Sequence, residues 1–184
     1  MENPADIIYI GFQLALGEDG GRNAMTRIWT VYGKGIYYYI SRSFPGDRYL
    51  CDDCFQETML KAYHGLNSYR IGLPLKPWLY RIAHNCCLDQ LRRRNEESID
   101  DTAELAAPER GGLEENFMRS ELVIAIDNGI SGLGAGNAQI AYLRFFEGMK
   151  FKDIAKIMGM NEKTVKTRMD AIKRKLRTEL KEWL

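Results

Sequence analysis

The sequence predicts an all-α protein of two small helical domains joined by an acidic linker. Apolar residues recur at helical spacing along most of the 184 residues, and no segment shows the alternation of a β-strand. An acidic stretch containing Pro108, Gly111 and Gly112 separates two helical halves. With 45% hydrophobic and 28% charged residues, the composition is that of a globular chain, not a disordered or membrane-embedded one.

These observations divide the chain into four segments. They are an N-terminal extension over 1–23, a first domain over 24–95, a linker over 96–118 and a second domain over 119–184. The start of the chain lacks the pattern of a signal peptide, and no run of about 18 apolar residues occurs. We therefore expect a cytoplasmic protein.

The first domain is expected to contain three helices. Ile28, Tyr32, Ile36 and Ile40 recur every four residues and predict the first, from about residue 24 to 42. A second is predicted over about 48–63. The segment 65–77, with Gly65, Gly72, Pro74 and Pro77, reads as a loop, and a third helix follows over 78–94. On the second helix, three polar residues at spacings i, i+3 and i+4 predict one surface patch: Asp53, Gln56 and Glu57.

The second domain carries the pattern of a helix-turn-helix. Ile154, Ala155 and Val165 can pack two helices together, and Gly159 allows the sharp turn between them. This arrangement leaves basic and hydroxyl side chains exposed at the start of the second helix: Lys163, Thr164, Lys166, Thr167 and Arg168. Such side chains can reach bases and phosphates in a major groove, although helical hairpins with a glycine turn also occur in proteins that bind no DNA.

Charge is distributed in blocks that the net charge of +1 conceals. Residues 76–94 hold five basic and one acidic side chain, residues 95–121 two basic and nine acidic, and residues 144–184 twelve basic and six acidic. Two basic zones on either side of an acidic segment fit a protein that contacts a polyanion at two places. Two solvated helix faces would give the same pattern.

Three segments resemble the extracytoplasmic-function (ECF, group 4) sigma factors of the sigma-70 family. Residues 76–94, KPWLYRIAHNCCLDQLRRR, resemble the family's promoter-melting helix, and residues 49–63, YLCDDCFQETMLKAY, its polymerase-clamp helix. Residues 148–177, GMKFKDIAKIMGMNEKTVKTRMDAIKRKLR, resemble its promoter-reading module. The resemblance covers most of 24–94 and 119–180. It identifies the first domain as sigma region 2, a helical bundle, and the second as sigma region 4.

The resemblance implies a factor that binds core RNA polymerase, recognises the minus-ten and minus-thirty-five promoter elements and initiates melting. Polymerase binding would fall to Asp53, Gln56 and Glu57. The minus-ten element would be bound by the loop and the helix behind it, through Asn67, Ser68, Arg70, Lys76, Arg81, Asn85, Arg92 and Arg93. The minus-thirty-five element would be read by Lys163, Thr164, Lys166, Thr167 and Arg168. An anti-sigma factor is the further partner implied.

Two other functions stay open at this point. The chain could be a sigma-like mimic that sequesters an anti-sigma factor, but the basic helix and recognition helix argue against this. It could also be a helix-turn-helix repressor, which leaves the acidic patch unexplained. No set of residues suggests catalysis, so we expect neither an enzyme nor a cofactor. Four cysteines, Cys51, Cys54, Cys86 and Cys87, are expected to be buried thiols, with metal binding or redox sensing as alternatives.

Three features depart from the family pattern. A glycine-rich segment over 130–139 replaces the usual Leu-Pro turn before the first long helix of the second domain. Lys150 and Asp153 stand where the family commonly has a hydroxyl residue and Glu, so the usual helix cap is either missing or supplied by another residue. The extension over 1–23 matches no family segment.

Overall fold

The computed structural model describes residues 3–70, 73–97 and 121–181. Eight α-helices occur in these ranges: α1 (Pro4–Ala15), α2 (Glu18–Ser41), α3 (Arg48–Gly65), α4 (Leu75–Glu97), α5 (Glu121–Ser131), α6 (Ala135–Phe145), α7 (Phe151–Ile157) and α8 (Glu162–Glu179), with a short 3₁₀ helix, Leu66–Ser68, after α3. The described residues contain no strand, and the predicted all-α class is confirmed. Nearly all of the predicted linker, 96–118, lies outside these ranges.

The chain forms two compact units. One comprises Met1–Ile40 and Tyr49–Leu105, and the other comprises Ser41–Arg48 and Ala106–Leu184. None of the described helices is both long enough and apolar enough to cross a membrane.

The core of the first unit is built from α2, α3 and α4. The predicted stripe on α2, Ile28, Tyr32, Ile36 and Ile40, is buried as expected. Tyr39 on α2 and Tyr80 on α4 are also buried, and their rings meet edge to face with centroids 5.3 Å apart. Helical periodicity therefore predicted the inward face of α2 correctly.

The N-terminal segment forms a helical hairpin that the sequence did not predict. Helix α1 packs against α2, which begins at Glu18 instead of near Ala24. Gly20 permits the close approach, because a Cβ at this position would lie 1.8 Å from the carbonyl oxygen of Gln13. Asn23 donates a side-chain hydrogen bond to Gln13 at 3.2 Å. The extension is thus part of the first unit.

The four cysteines are all buried, as predicted, and none of them forms a disulfide. The Sγ atoms of Cys54 on α3 and Cys87 on α4 lie 3.7 Å apart. This contact and burial raise the pKa of the Cys54 thiol, and burial raises the pKa of Cys86. Within the described ranges, no group of three or more His, Cys, Asp or Glu side chains is placed to hold a metal ion.

The second unit contains α5 to α8. The inward stripe of α8 consists of Val165, Met169, Ile172 and Leu176, and these side chains are buried as predicted. Ile154 and Ala155 of α7 are buried too, and Gly159 adopts a φ of 62° between α7 and α8. Glycine tolerates this left-handed conformation without the strain of a Cβ.

Candidate nucleic-acid interface

Helix α4 presents one row of side chains to solvent. Arg81, Asn85, Leu88 and Arg92 follow one another at spacings of 4, 3 and 4, and all four are exposed. The opposite side of α4 is held in the core by residues such as Leu79, which is fully buried. The row therefore offers two guanidinium groups and one amide, all of which can donate hydrogen bonds to phosphates or base edges.

The predicted minus-ten helix residues do not all share this row. Arg93 turns toward α3, where its Nη2 lies 3.8 Å from Oε1 of Glu57. Arg92 stays largely exposed, with Asp89 at 3.7 Å. Exposed Leu88 was not predicted, although its place between Asn85 and Arg92 in the helical period could have indicated it.

The loop between α3 and α4 is held by two aromatic rings. Tyr69 and Trp78 have ring centroids 5.1 Å apart, and the hydroxyl of Tyr69 donates to the carbonyl of Leu73. Gly65 lets α3 end close to this pair, since a Cβ there would lie 2.9 Å from Cζ2 of Trp78. Both rings thus support the loop.

The polar residues predicted for this loop take different positions. Ser68 is exposed, and its hydroxyl donates to the carbonyl of Gly65 at 2.9 Å. Arg70 is exposed, whereas Lys76 is half-buried in the first turn of α4. Asn67 lies in the 3₁₀ helix, and its side chain is outside the described part of the structure. Arg70 is therefore the charged group that the described loop presents most openly.

The predicted acidic patch is a surface of α3 that faces partly toward α4. Asp53 and Gln56 are exposed, but the Glu57 side chain keeps only 22% of its accessible surface. Lys61 lies 2.8 Å from Glu57. Gln90 of α4 donates to Asp53 at 2.8 Å and to Glu57 at 3.3 Å. We call Asp53, Gln56 and Glu57 the acidic patch; the structure brings them together on one helix and ties two of them to α4.

The start of α8 exposes the basic residues predicted for DNA recognition. Lys163, Lys166 and Arg168 are exposed. Lys163 lies opposite the buried stripe of the helix, and Lys166 and Arg168 flank that stripe on either side. Lys166 pairs with Glu162 at 2.7 Å. Arg168 extends near Gly136 of α6, where a Cβ would lie 3.7 Å from its Nη1 atom.

The two threonines predicted at this site use their hydroxyl groups within the helix. Thr164 donates to Asn161 at 2.9 Å, and Thr167 donates to the carbonyl of Lys163 at 3.1 Å. Asn161 also accepts from the Thr164 backbone N–H and caps α8. This cap was not predicted, although asparagine just before a helix is a preferred N-cap. Helix α7, by contrast, begins without a side-chain cap at Lys150, as its departure from the family pattern suggested.

Two segments match known family descriptions. Residues 31–97 match sigma-70 region 2, and residues 125–176 match sigma-70 region 4. RNA polymerase sigma factor SigV of Bacillus subtilis is 30% identical over 149 residues, which cover 80% of this chain and 86% of SigV. The RNA polymerase sigma-H factor of Pseudomonas aeruginosa is 30% identical over 182 residues, covering 89% and 91% of the two chains.

Solved structures share the fold. The sigma factor RpoE of Bartonella quintana, crystallised with the anti-sigma factor NepR, superposes with a TM-score of 0.72 at 22% identity, covering 85% of this chain and 96% of that one. CnrH in complex with the cytosolic domain of CnrY gives a TM-score of 0.62 at 22% identity, covering 97% and 98%.

The chain belongs to the sigma-70 family of RNA polymerase sigma factors, in its ECF group. Its function is that of a promoter-recognising sigma factor in transcription initiation. The family consists of transcription factors that are not themselves catalysts.

Proposed function

We propose that this sigma factor contacts promoter DNA through two separate surfaces, one in each unit. The minus-ten surface comprises Arg81, Asn85 and Arg92 on α4 together with Asn67, Ser68, Arg70 and Lys76 of the preceding segment. Arg93 contributes to the local positive charge from its place beside Glu57. The minus-thirty-five surface comprises Lys163, Thr164, Lys166, Thr167 and Arg168.

The observation that carries this proposal is the exposed row of α4. It places donors at helical spacing on a side of the helix that no other described helix covers, next to the loop held by Tyr69 and Trp78. Extruding a base from the duplex costs a few kcal/mol. A site that captures an extruded base therefore needs hydrogen-bond donors beside a fixed loop, because their bonds to the base offset this cost. The exposed cations of α8 add a second contact with phosphates.

We further propose that the acidic patch binds core RNA polymerase and that the protein works in the cytoplasm, where polymerase supplies the catalysis. An anti-sigma partner is supported by the similar structure of the sigma factor RpoE, which was crystallised in complex with the anti-sigma factor NepR. The assignments of 1–23 as extension, 24–95 as region 2, 96–118 as linker and 119–184 as region 4 belong to the same proposal.

The test is transcription in vitro from fragmented genomic DNA by bacterial core RNA polymerase, with and without the protein, and mapping of new 5′ ends. New starts preceded by two spaced motifs are expected. Arg81→Ala with Arg92→Ala should remove starts while leaving polymerase binding intact, whereas Asp53→Lys with Glu57→Lys should abolish polymerase binding.

Two results would contradict the proposal. Polymerase binding without new starts would point to a mimic, and DNA binding without polymerase binding would point to a repressor. Lys34→Ala with Arg22→Ala removes the same two positive charges at exposed positions outside both surfaces, and is the matched control for Arg81→Ala with Arg92→Ala.

A further inference from the structure

Gln90 lies on the inner side of α4 and joins this helix to the acidic patch of α3. Its Nε2 atom donates to Oδ2 of Asp53 at 2.8 Å and to Oε2 of Glu57 at 3.3 Å. The residue is only 7% exposed. Its amide is therefore committed to the two carboxylates and has little surface with which to contact a partner directly.

The Gln90 hydrogen bonds hold together two carboxylates that would otherwise repel one another. Asp53 and Glu57 are four residues apart on α3, and like charges at this spacing repel one another. Glu57 has two cations nearby, Lys61 at 2.8 Å and Arg93 at 3.8 Å. Asp53 is exposed, and Gln90 donates a hydrogen bond to it. One amide nitrogen carries two hydrogens, so Gln90 can hold both carboxylates at once.

We propose that Gln90 is a positioning residue for polymerase binding: from α4, it fixes the geometry of the Asp53 and Glu57 carboxylates on α3. The inference rests on the proposed function, in which the acidic patch binds core polymerase. Side chains that are already held in the bound geometry lose less conformational freedom on association. Removing the Gln90 hydrogen bonds would leave the two carboxylates less ordered, and this would weaken binding even though no contact with the partner is removed.

The first experiment measures the Kd of the full-length protein for bacterial core RNA polymerase. Gln90→Met keeps the length of the side chain and removes its donor. Because a hydrogen bond to a charged group is involved, we expect the Kd to rise roughly tenfold. Thr58→Val is the matched control, since Thr58 is a buried α3 donor whose hydroxyl bonds the Cys54 carbonyl at 2.7 Å and not the acidic patch. Its Kd should not change.

A double-mutant cycle separates positioning from a general structural effect. Once Asp53→Asn and Glu57→Gln have removed both charges, Gln90→Met should weaken binding by less than twofold. The same tenfold effect in both backgrounds would overturn the proposal. An equal loss of affinity in Thr58→Val would overturn it as well.

A second variant keeps the test valid if Gln90→Met unfolds. Gln90→Glu has nearly the same shape, and its carboxylate repels Asp53, but its protonated form can donate to Asp53 again. Burial beside Asp53 and Glu57 should raise the pKa of the introduced carboxyl above its usual value of about 4.3, so binding by this variant should recover relative to the unmodified protein as the pH falls from about 8 to about 5. Uniformly weak or uniformly normal binding across this range would contradict the inference.

The charge-reversal variant distinguishes the two proposals. If Asp53→Lys with Glu57→Lys leaves the Kd unchanged, the acidic patch does not bind polymerase, and both proposals about this patch fail. If charge reversal weakens binding but Gln90→Met does not, the proposed function stands and the positioning role of Gln90 is wrong.

Discussion

Asn161 accepts two hydrogen bonds from Thr164, one from the backbone N–H at 2.7 Å and one from the hydroxyl at 2.9 Å. The first of these bonds caps α8, and the second engages a hydroxyl that the sequence had assigned to DNA. The local geometry of the recognition helix thus depends on a residue just outside it. The start of α8 also carries the exposed Lys163, Lys166 and Arg168.

Replacing the cap should destabilise the start of α8. Asn161→Ala is expected to lower the free energy of unfolding by about 0.5–2 kcal/mol and to weaken binding to minus-thirty-five DNA. Asn161→Ser retains an oxygen acceptor and should restore most of the loss. Thermal unfolding and DNA binding measured on the same samples check this. A fully stable Asn161→Ala variant would show that the cap contributes little.

Adjacent glycines of α2 should respond in opposite ways to alanine. At Gly20, a Cβ would lie 1.8 Å from the Gln13 carbonyl oxygen, whereas at Gly21 nothing lies within 4 Å. Gly20→Ala should therefore displace α1 and lower the unfolding free energy by roughly 1–3 kcal/mol, as overpacking does. Gly21→Ala should be neutral or raise it by up to about 1 kcal/mol, because alanine favours helix.

Denaturant unfolding of both variants decides the question. Equal stability of the two would mean that the hairpin of α1 and α2 does not close as tightly as described.

Alkaline pH should destabilise the first unit through its thiols. The folded state raises the pKa of Cys54 and Cys86, so both stay protonated where the unfolded chain ionises. The stabilisation that these two thiols give the folded state is complete below the thiol pKa of the unfolded chain. As the pH rises above about 8.5–9, the free energy of unfolding falls by about 1.4 kcal/mol per pH unit for each thiol. Urea unfolding between about pH 7 and pH 10 tests this.

A shallower pH dependence in Cys54→Ala would attribute part of the effect to this thiol. An unchanged dependence in that variant would exclude it.

The salt dependence of DNA binding should show which basic residues of α8 contact phosphates. Lys163→Gln removes one phosphate contact and should reduce the slope of log K against log salt concentration by about 0.9. Lys34→Gln removes an exposed charge from α2, outside the proposed surfaces, and should leave the slope unchanged. A fluorescence titration with a minus-thirty-five duplex at several salt concentrations measures both. Equal slopes for Lys163→Gln and the unmodified protein would show that Lys163 contacts no phosphate.

Periodicity predicted the features that depend on one helix at a time. The stripe Val165, Met169, Ile172 and Leu176 is buried as expected, and so is the stripe of α2. Gly159 was also identified as the turn of the helix-turn-helix. These features follow from residues close in sequence, because helical spacing alone decides which side chains share a face.

The packing of α1 on α2 and the position of the Glu57 side chain could not be predicted from the sequence. The extension became part of the first unit because Gly20 and the Gln13 contact with Asn23 hold α1 on α2. Glu57 was expected on an open surface, but Gln90, 33 residues away, draws it toward α4. No local pattern connects residues so far apart in sequence.

The sequence alone determined the all-α class, the faces of α2 and α8 and the resemblance to ECF sigma factors. These properties reside in short-range spacing and composition. The tertiary structure decided which polar side chains remain open to a partner: Arg81 and Arg92 stay on the outer row of α4, while Arg93 turns toward Glu57. The reason is physical, since packing brings opposite charges and hydrogen-bonding groups from different helices within contact distance.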